Sequence, residues 1–530
     1  MNGMKLKIGA GILIFTFLVS SCADFLDVND NPNQATSVGA DLILPQAIVA
    51  TANVGSFFNG YGGHFGGYLA NAGGFSGFGI LLSYNLTPGA YDFLWTTTYQ
   101  DPLQDLKVVI DNTEGKDELA YFNAAAKIMQ VVNYQRLVDA FGDVPYSEAL
   151  RGAAALAPKY DDAATIYTDL IATLDEAIDI IDNAEFPLRL TKASDPLFGA
   201  DPSSGGERDI DDQMMDWKKY ANTLKLRMLI RLSSTRDVTS GFATIDQSLG
   251  FLTDDALVDP GFEKNRPNPT WTAWGRNIAG ALSNPARIPT TFSFGFYNGT
   301  KISDPGRGEA SFVNFPTTPT NQLGNEVGNP TAVAGSVTWA SNDPATEGLG
   351  ILKGPGMGEP LMLAAEAHFL VAEAQVRGLL AGGIAAAKAS FNNGIMASFA
   401  YLYKDENETL QDTTGLVDNY FGLNPTNDLV IFDLATTEAA RIEAIITQKY
   451  IAMNMITSDE SYNEYRRTGF PVTVPGGGPS LDIASNKSTI TSRADRLPTR
   501  IMYPATEQSY NNSNYRTIDY AGDLIFWDPN

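Results

Sequence analysis

Apolar positions recur with a helical period over three long stretches of the chain. Between about residues 90 and 240, Leu119, Phe122, Ala126 and Met129 return at spacings of three, four and three. Ile166, Leu170, Leu174, Ile178 and Ile181 form a second stripe, with Asp169, Asp175, Glu176 and Asp182 left for the wet side. Between these stripes FGDVPY (141–146) ends a helix with glycine and proline. Trp217 to Arg231 reads as a third amphipathic helix whose Lys and Arg stems cover apolar neighbours. The period returns at 359–377, where Met362, Ala365, Phe369, Ala372, Val376 and Leu379 form a seam and Glu359, Glu366 and Glu373 repeat every seven residues beside it. Residues 384–400 make a partner helix after the Gly378–Gly383 break, and Thr436 caps another, with Ala439, Ile442, Ile446, Met453 and Ile456 on one face. A shorter first helix is predicted over 41–54, with Leu42, Leu44, Ile48 and Val49 on its apolar side.

Two stretches break the pattern. Residues 55–82 alternate glycine with Phe, Tyr and His, a composition too rich in glycine for a stable helix, and they read as a loop or a broken helix. Residues 250–355 hold many Pro, Gly, Asn and Thr with scattered rings, and only short strands are predicted, at 290–297 and 335–340. A structureless run of that length inside a compact protein calls for a function. The remainder from about 468 is loop-rich. The expected fold is mostly α: small-residue helix pairs stacked as in tetratricopeptide repeats (41–54, 90–240 and 359–467) carry an irregular ligand-binding portion (55–82 and 250–355). Residues 41–530 then form one domain.

The N-terminus adds a location. Lys5 and Lys7 precede an apolar run from Ile8 to Val19, too short to cross a bilayer, and then Val-Ser-Ser-Cys ends at Cys22. The segment resembles a bacterial lipoprotein signal: 1–21 is the signal peptide and Cys22, the one cysteine in the chain, the lipidation site. No intramolecular disulfide is then open to the protein. Residues 22–40 form an extended arm, whose Asp27, Asn29 and Asn31 alternate as calcium ligands do but lack the glycine and distal glutamate of such loops. The formal charge of −25 repels nucleic acid and anionic lipid and is read as solubility at an exposed surface; it leaves room for a cationic ligand without pointing to one.

Catalytic chemistry finds little material. The two histidines are His64, in the glycine-aromatic run, and His368, on the packed seam. GFSGF (74–78) lacks the last glycine of a nucleophile elbow, and neither a phosphate-binding loop nor zinc-ligand spacing occurs, so no metal or cofactor is expected. Glu366 and Glu373, the most tempting carboxylate pair, lie two turns apart on a packed helix and read as partners for Lys, Arg or backbone; Arg466–Arg467 reads as an internal ion-pair former. Binding is better supplied. Sugar faces expose C–H groups that pack on rings while polar side chains catch hydroxyls. The candidates are Tyr61, His64, Phe65 and Tyr68 in one irregular stretch, and Trp271, Trp274, Arg276, Asn277, Tyr297 and Trp339 in the other. Trp95 and Trp217 lie on periodic helices and are assigned to the core.

Eight segments in order along the chain resemble the SusD/RagB family of outer-membrane nutrient-binding lipoproteins. They are CADFLDVNDNPN after the signal, LVDAFGDVPYSEAL (137–150), PKYDDAATIYTDLIATLDEA (158–177), WKKYANTLKLRMLIRL (217–232), EPLMLAAEAHFLVAEAQVRG (359–378), ITQKYIAMN (446–454), YRRTGFP (465–471) and LPTRIMYPATEQSYNNSNY (497–515). The resemblance implies a tetratricopeptide-like fold, anchoring in the outer membrane by acyl chains with the protein facing the exterior, and a lid-like role over a SusC-like, TonB-dependent β-barrel transporter. It implies an oligosaccharide ligand, or a peptide in some branches, and no catalysis. These motifs are scaffold, so they carry over no ligand contact. The rival readings are a surface glycoside hydrolase, which needs a carboxylate pair facing an open cleft, and a structural adhesin, which needs repetitive β-rich sequence that this chain lacks.

Overall fold

The computed structural model describes residues 39–75, 79–325, 338–340 and 348–530. The signal segment, Cys22 and nearly all of the arm lie outside these residues, as do the end of GFSGF and residues 335–337 of the strand predicted at 335–340, whose described residues 338–340 form a turn instead.

Eleven of the helices among the described residues carry the architecture. They are α1 (Ala40–Phe65), α2 (Asp92–Thr98), α3 (Gln104–Thr113), α4 (Ala120–Phe141), α5 (Ala163–Asn183), α6 (Ile210–Leu232), α7 (Pro269–Trp274), α8 (Ala364–Val376), α9 (Gly383–Leu402), α10 (Glu438–Ala452) and α11 (Ser458–Thr468). They pack as a tetratricopeptide-like scaffold: α3 lies on α4, α4 on α5, α5 on α6, and α8 on both α9 and α10. The pair α8–α9 crosses closely because Gly394 meets Phe369, whose ring would stand 2.5 Å from any Cβ placed there. The apolar core is continuous from Leu44 through Phe122, Leu174, Trp217, Phe369 and Ile445 to Trp527 near the C-terminus. Trp95 and Trp217 sit in it as the period predicts.

Among the described residues strands are few and short: β1 (Leu69–Asn71), β2 (Val144–Pro145), β3 (Tyr160–Asp161), β4 (Ala256–Val258), β5 (Arg287–Pro289) and β6 (Glu359–Met362). They pair antiparallel as β1–β5, β2–β3 and β4–β6. Leu69 faces Pro289 and Asn71 faces Arg287, so the two stretches that break the helical period are stitched to each other.

The structure corrects the expected elements in five places. The glycine-rich run is no loop up to Phe65; it continues α1. Its glycines give up helix propensity but allow backbones to touch: a Cβ on Gly62 would stand 2.0 Å from the Asp459 backbone nitrogen at the start of α11, and one on Gly63 would meet Leu69 and Met455. Tertiary packing therefore outweighs propensity. Leu42 lies off the buried face, 66% exposed. The segment 290–297 is not a strand; β5 ends at Pro289, and Thr290 caps a helical turn over Thr291–Phe294 by accepting from the Ser293 N–H. Residues 359–362 form β6 before α8 begins, which moves Glu359 off the helix. The cap of α10 is Thr437, whose hydroxyl accepts from the Ala440 N–H.

Candidate functional site

A cavity of about 670 Å³ opens beside α1. One face of that helix makes its first wall, because Gln46, Val49, Asn53, Ser56 and Phe57 recur at helical spacing. Leu44, Ala47, Ile48, Val54 and Phe58 point into the core instead. Phe57 is half-buried and meets Phe93 edge to face at 5.6 Å, and Phe93 is 43% exposed.

The second wall is built on a helical defect. Between α2 and α3 the chain makes a π-turn over Tyr99–Leu103, with Pro102 inside it. Proline has no N–H to donate and its ring clashes with the carbonyl a turn back, and a π-turn accommodates both by adding a residue to the turn. Gln100 and Asp101 on this turn, and Asp105 one turn later on α3, line the cavity. Asp101 is exposed and Asp105 half-buried. Neither carboxylate has a hydrogen-bond or ion-pair partner among the described residues. Burial, and then the charge of Asp101, push the Asp105 carboxyl above the usual aspartate range.

The third wall comes from the irregular portion, through Phe262, Pro267 and the α7 residues Pro269, Thr272 and Ala273. Helix α7 is fixed at its start. Asn268 accepts from the Trp271 N–H at 2.8 Å and donates to the Met357 carbonyl at 3.0 Å. Beneath it the buried Glu359 of β6 accepts from the Thr270 hydroxyl at 2.7 Å and its N–H at 3.2 Å. Burial raises the Glu359 carboxyl to about 7, against the pull of its Thr270 and Asn268 hydrogen bonds. The result is a short helix that presents Thr272 to solvent and turns Trp274 inward.

None of the ten side chains proposed from sequence as ligand contacts is among the residues lining this cavity. Tyr61, Phe65 and Tyr68 are core: Tyr61 packs edge to face with Phe65, Tyr91 and Tyr462, Phe65 lies tilted against Tyr91 and Tyr462, and Tyr68 stacks on Tyr450 at 4.3 Å while its hydroxyl donates to the Tyr450 carbonyl. His64 is buried, with Nδ1 donating to the Gly60 carbonyl at 3.0 Å, and burial lowers its pKa to about 3, so it stays neutral and out of reach of a ligand. Tyr297 is sealed in with its hydroxyl donating to the Ile451 carbonyl at 3.2 Å. Trp274 and Trp339 pack edge to face at 5.8 Å inside the protein, with Trp274 against Gly60 of α1. Trp271 is half-buried on α7. Arg276 donates to the Gly280 carbonyl at 2.9 Å and Asn277 accepts from the N–H groups of Ala279 and Ala281, so these two close a turn. Of the ten, Trp271 alone belongs to an element that also forms the cavity and has a ring at the surface. Sequence reading missed Gln46, Asn53, Gln100, Asp101, Asp105 and Phe262; the one signal available was Pro102, a proline inside an otherwise helical run.

The carboxylates suspected of chemistry are structural. Glu366 takes a bidentate bond from Arg227 at 2.9 and 2.7 Å, and Glu373 takes one from Arg467 at 2.7 Å on both oxygens. Arg466 donates to the carbonyls of Thr499 and Asp139.

This fold, a stacked-helix scaffold with an irregular portion closing one side of a ring-bearing cavity, defines a class. The chain belongs to the SusD-like family, whose model, described as starch-binding and associating with the outer membrane, matches residues 32–504. Among solved structures, a chitin-binding protein is 22% identical with a TM-score of 0.68, covering 93% of this chain and 100% of that one. A chitin-binding SusD homologue from Flavobacterium johnsoniae is 20% identical with a TM-score of 0.67, covering 92% and 99%. A SusD homologue from Bacteroides uniformis is 21% identical with a TM-score of 0.64, covering 91% and 99%. At these identities the likeness is one of fold. No curated protein matches the chain by sequence.

Proposed function

We propose that the protein is a cell-surface glycan-binding lipoprotein that captures an oligosaccharide in the α1–α7 cavity and passes it to a SusC-like TonB-dependent barrel, breaking no bond. The observation that carries this reading is the cavity wall itself. Phe57 and Phe262 supply flat apolar faces, while Asn53, Gln46, Gln100 and Thr272 supply donors and acceptors around them. That mixture suits a sugar, which has C–H faces and a rim of hydroxyls. The family's description as starch-binding, and the two chitin-binding structures of the same fold, support the glycan over the peptide. Anchoring at Cys22 would hold the cavity at the membrane surface where a transporter mouth lies.

Calorimetric titration with a panel of oligosaccharides tests the reading. At least one glycan binds, and Phe57→Ala weakens it about tenfold, the loss of one stacked ring. No reducing ends appear on prolonged incubation. Binding of peptides alone, or glycan binding untouched by Phe57→Ala, would reject this cavity as the glycan site. For the transfer step, detergent extraction of native membranes should bring a β-barrel down with the tagged protein.

A further inference from the structure

The glycan-binding reading leaves open which glycan, and the charge of the cavity bears on that. Asp101 and Asp105 stand on one wall because the π-turn around Pro102 brings the residue before the proline and the first turn of α3 onto the same side. No lysine or arginine is among the lining residues. On the flanking loop, Arg266 donates to the Pro260 and Gly261 carbonyls at 2.7 and 2.9 Å, and Lys264 is exposed and not among the lining residues. On α3 itself, Lys107 is paired with Asp111. Among the described residues that line it, the cavity therefore holds two carboxylates and no cation, next to rings and amides that would grip a sugar. A neutral glycan seated there would strip water from these carboxylates and return only hydroxyl hydrogen bonds. A uronic acid would add a third negative charge. A protonated amine returns a charge-assisted bond and relieves the repulsion between the two carboxylates.

Building on the glycan reading, we infer that the cavity selects oligosaccharides carrying protonated amino groups, as in deacetylated amino-sugar polymers, over their acetylated, neutral or acidic counterparts. The overall formal charge of −25 adds long-range attraction for such a cationic chain, so association should slow as salt is raised.

The test compares glucosamine hexamer, N-acetylglucosamine hexamer, maltohexaose, a galacturonate oligomer and oligolysine by calorimetry, using the lipid-free mature protein and its Asp101→Asn/Asp105→Asn variant. The glucosamine oligomer should bind about tenfold more tightly than the acetylated one, and the double variant should bring that ratio close to one. The ratio should also shrink as pH rises and the sugar amines lose their protons. The variant removes two unpartnered surface-reaching charges, so its urea midpoint should equal or exceed that of the unaltered protein, which separates lost selectivity from lost folding. A ratio of one or below with glycan binding intact overturns the inference and leaves the glycan reading standing. Binding of oligolysine but of no glycan, with the same dependence on Asp101 and Asp105, overturns both in favour of a basic peptide, and binding of none of the five overturns both outright.

Discussion

Three buried or half-buried residues in and beneath α7, Glu359, Trp271 and Trp274, are placed by contacts distant in sequence. Glu359 was visible in the sequence only as one member of a seven-residue repeat, yet it sits on a strand beneath α7 with both oxygens satisfied by Thr270. Its folded pKa of about 7 lies above the ordinary 4.5. The folded protein therefore holds this proton more tightly than the unfolded chain, and the group's favourable contribution is complete below pH 4.5 and lost as pH climbs to about 7. Glu359→Gln should remove that dependence. The stability difference between variant and parent should shift by about 3 kcal/mol across the window in urea titrations. A difference that stays constant with pH would show that the carboxyl titrates normally. The Trp271–Trp274 pair carries the complementary lesson. Sequence placed these rings in a cleft and could not tell which way each points. The cap at Asn268 decides it, sending Trp274 against Gly60 and leaving Trp271 half-buried.

At the scale of elements, the helices were legible wherever apolar residues kept the 3.6-residue period, as in α4, α5, α6 and α8. Helix α1 was not, because its second half is held by close approach rather than by propensity. That difference predicts opposite outcomes for two glycines in the same helix. Gly62→Ala forces a Cβ into the Asp459 backbone and should cost about 3 kcal/mol, seen as a lowered urea midpoint. Gly60→Ala places its Cβ 3.7 Å from Trp274, an ordinary contact, and should be neutral or gain up to about 1 kcal/mol from helix propensity. Equal costs at both positions would mean that α1 does not abut α11 as described. The cavity walls were illegible for a related reason. They come from one face of α1, a π-turn, a loop and a short helix that lie apart in sequence, and no local period reports that they converge.

The whole molecule is tied together by charges sealed in its core. Arg231 of α6 bonds both Asp139 of α4 and Glu460 of α11, and Trp527 near the C-terminus donates to Asp139 at 2.8 Å. Arg227 and Lys449 extend the network to Glu366, and Lys449 reaches Glu464 at 2.8 Å. Burial alone would raise the Glu460 carboxyl, but Arg231, Arg227 and Lys449 overcome it and hold it at about 2. Its contribution to stability is thus present above the ordinary 4.5 and lost as pH falls toward about 2. Arg231→Met leaves Asp139 and Glu460 buried without their main partner. It should cost about 3–5 kcal/mol in chemical denaturation while leaving glycan affinity in the surviving folded fraction unchanged. Loss of affinity without loss of stability would contradict the separation of scaffold from site. The sequence hinted at this network through Glu366, Glu373 and the Arg466–Arg467 pair, but which acid meets which base depends on how five helices stack.

The claim on which the functional account rests is that a ring-and-amide cavity between α1 and α7 holds a glycan. The most direct measurement is a calorimetric titration of the mature protein and its Phe57→Ala variant with an oligosaccharide panel that includes the glucosamine and N-acetylglucosamine hexamers. The account predicts saturable binding of at least one oligosaccharide, weakened about tenfold when the Phe57 ring is removed. Identical affinities for the two proteins, or no heat from any oligosaccharide, would contradict it.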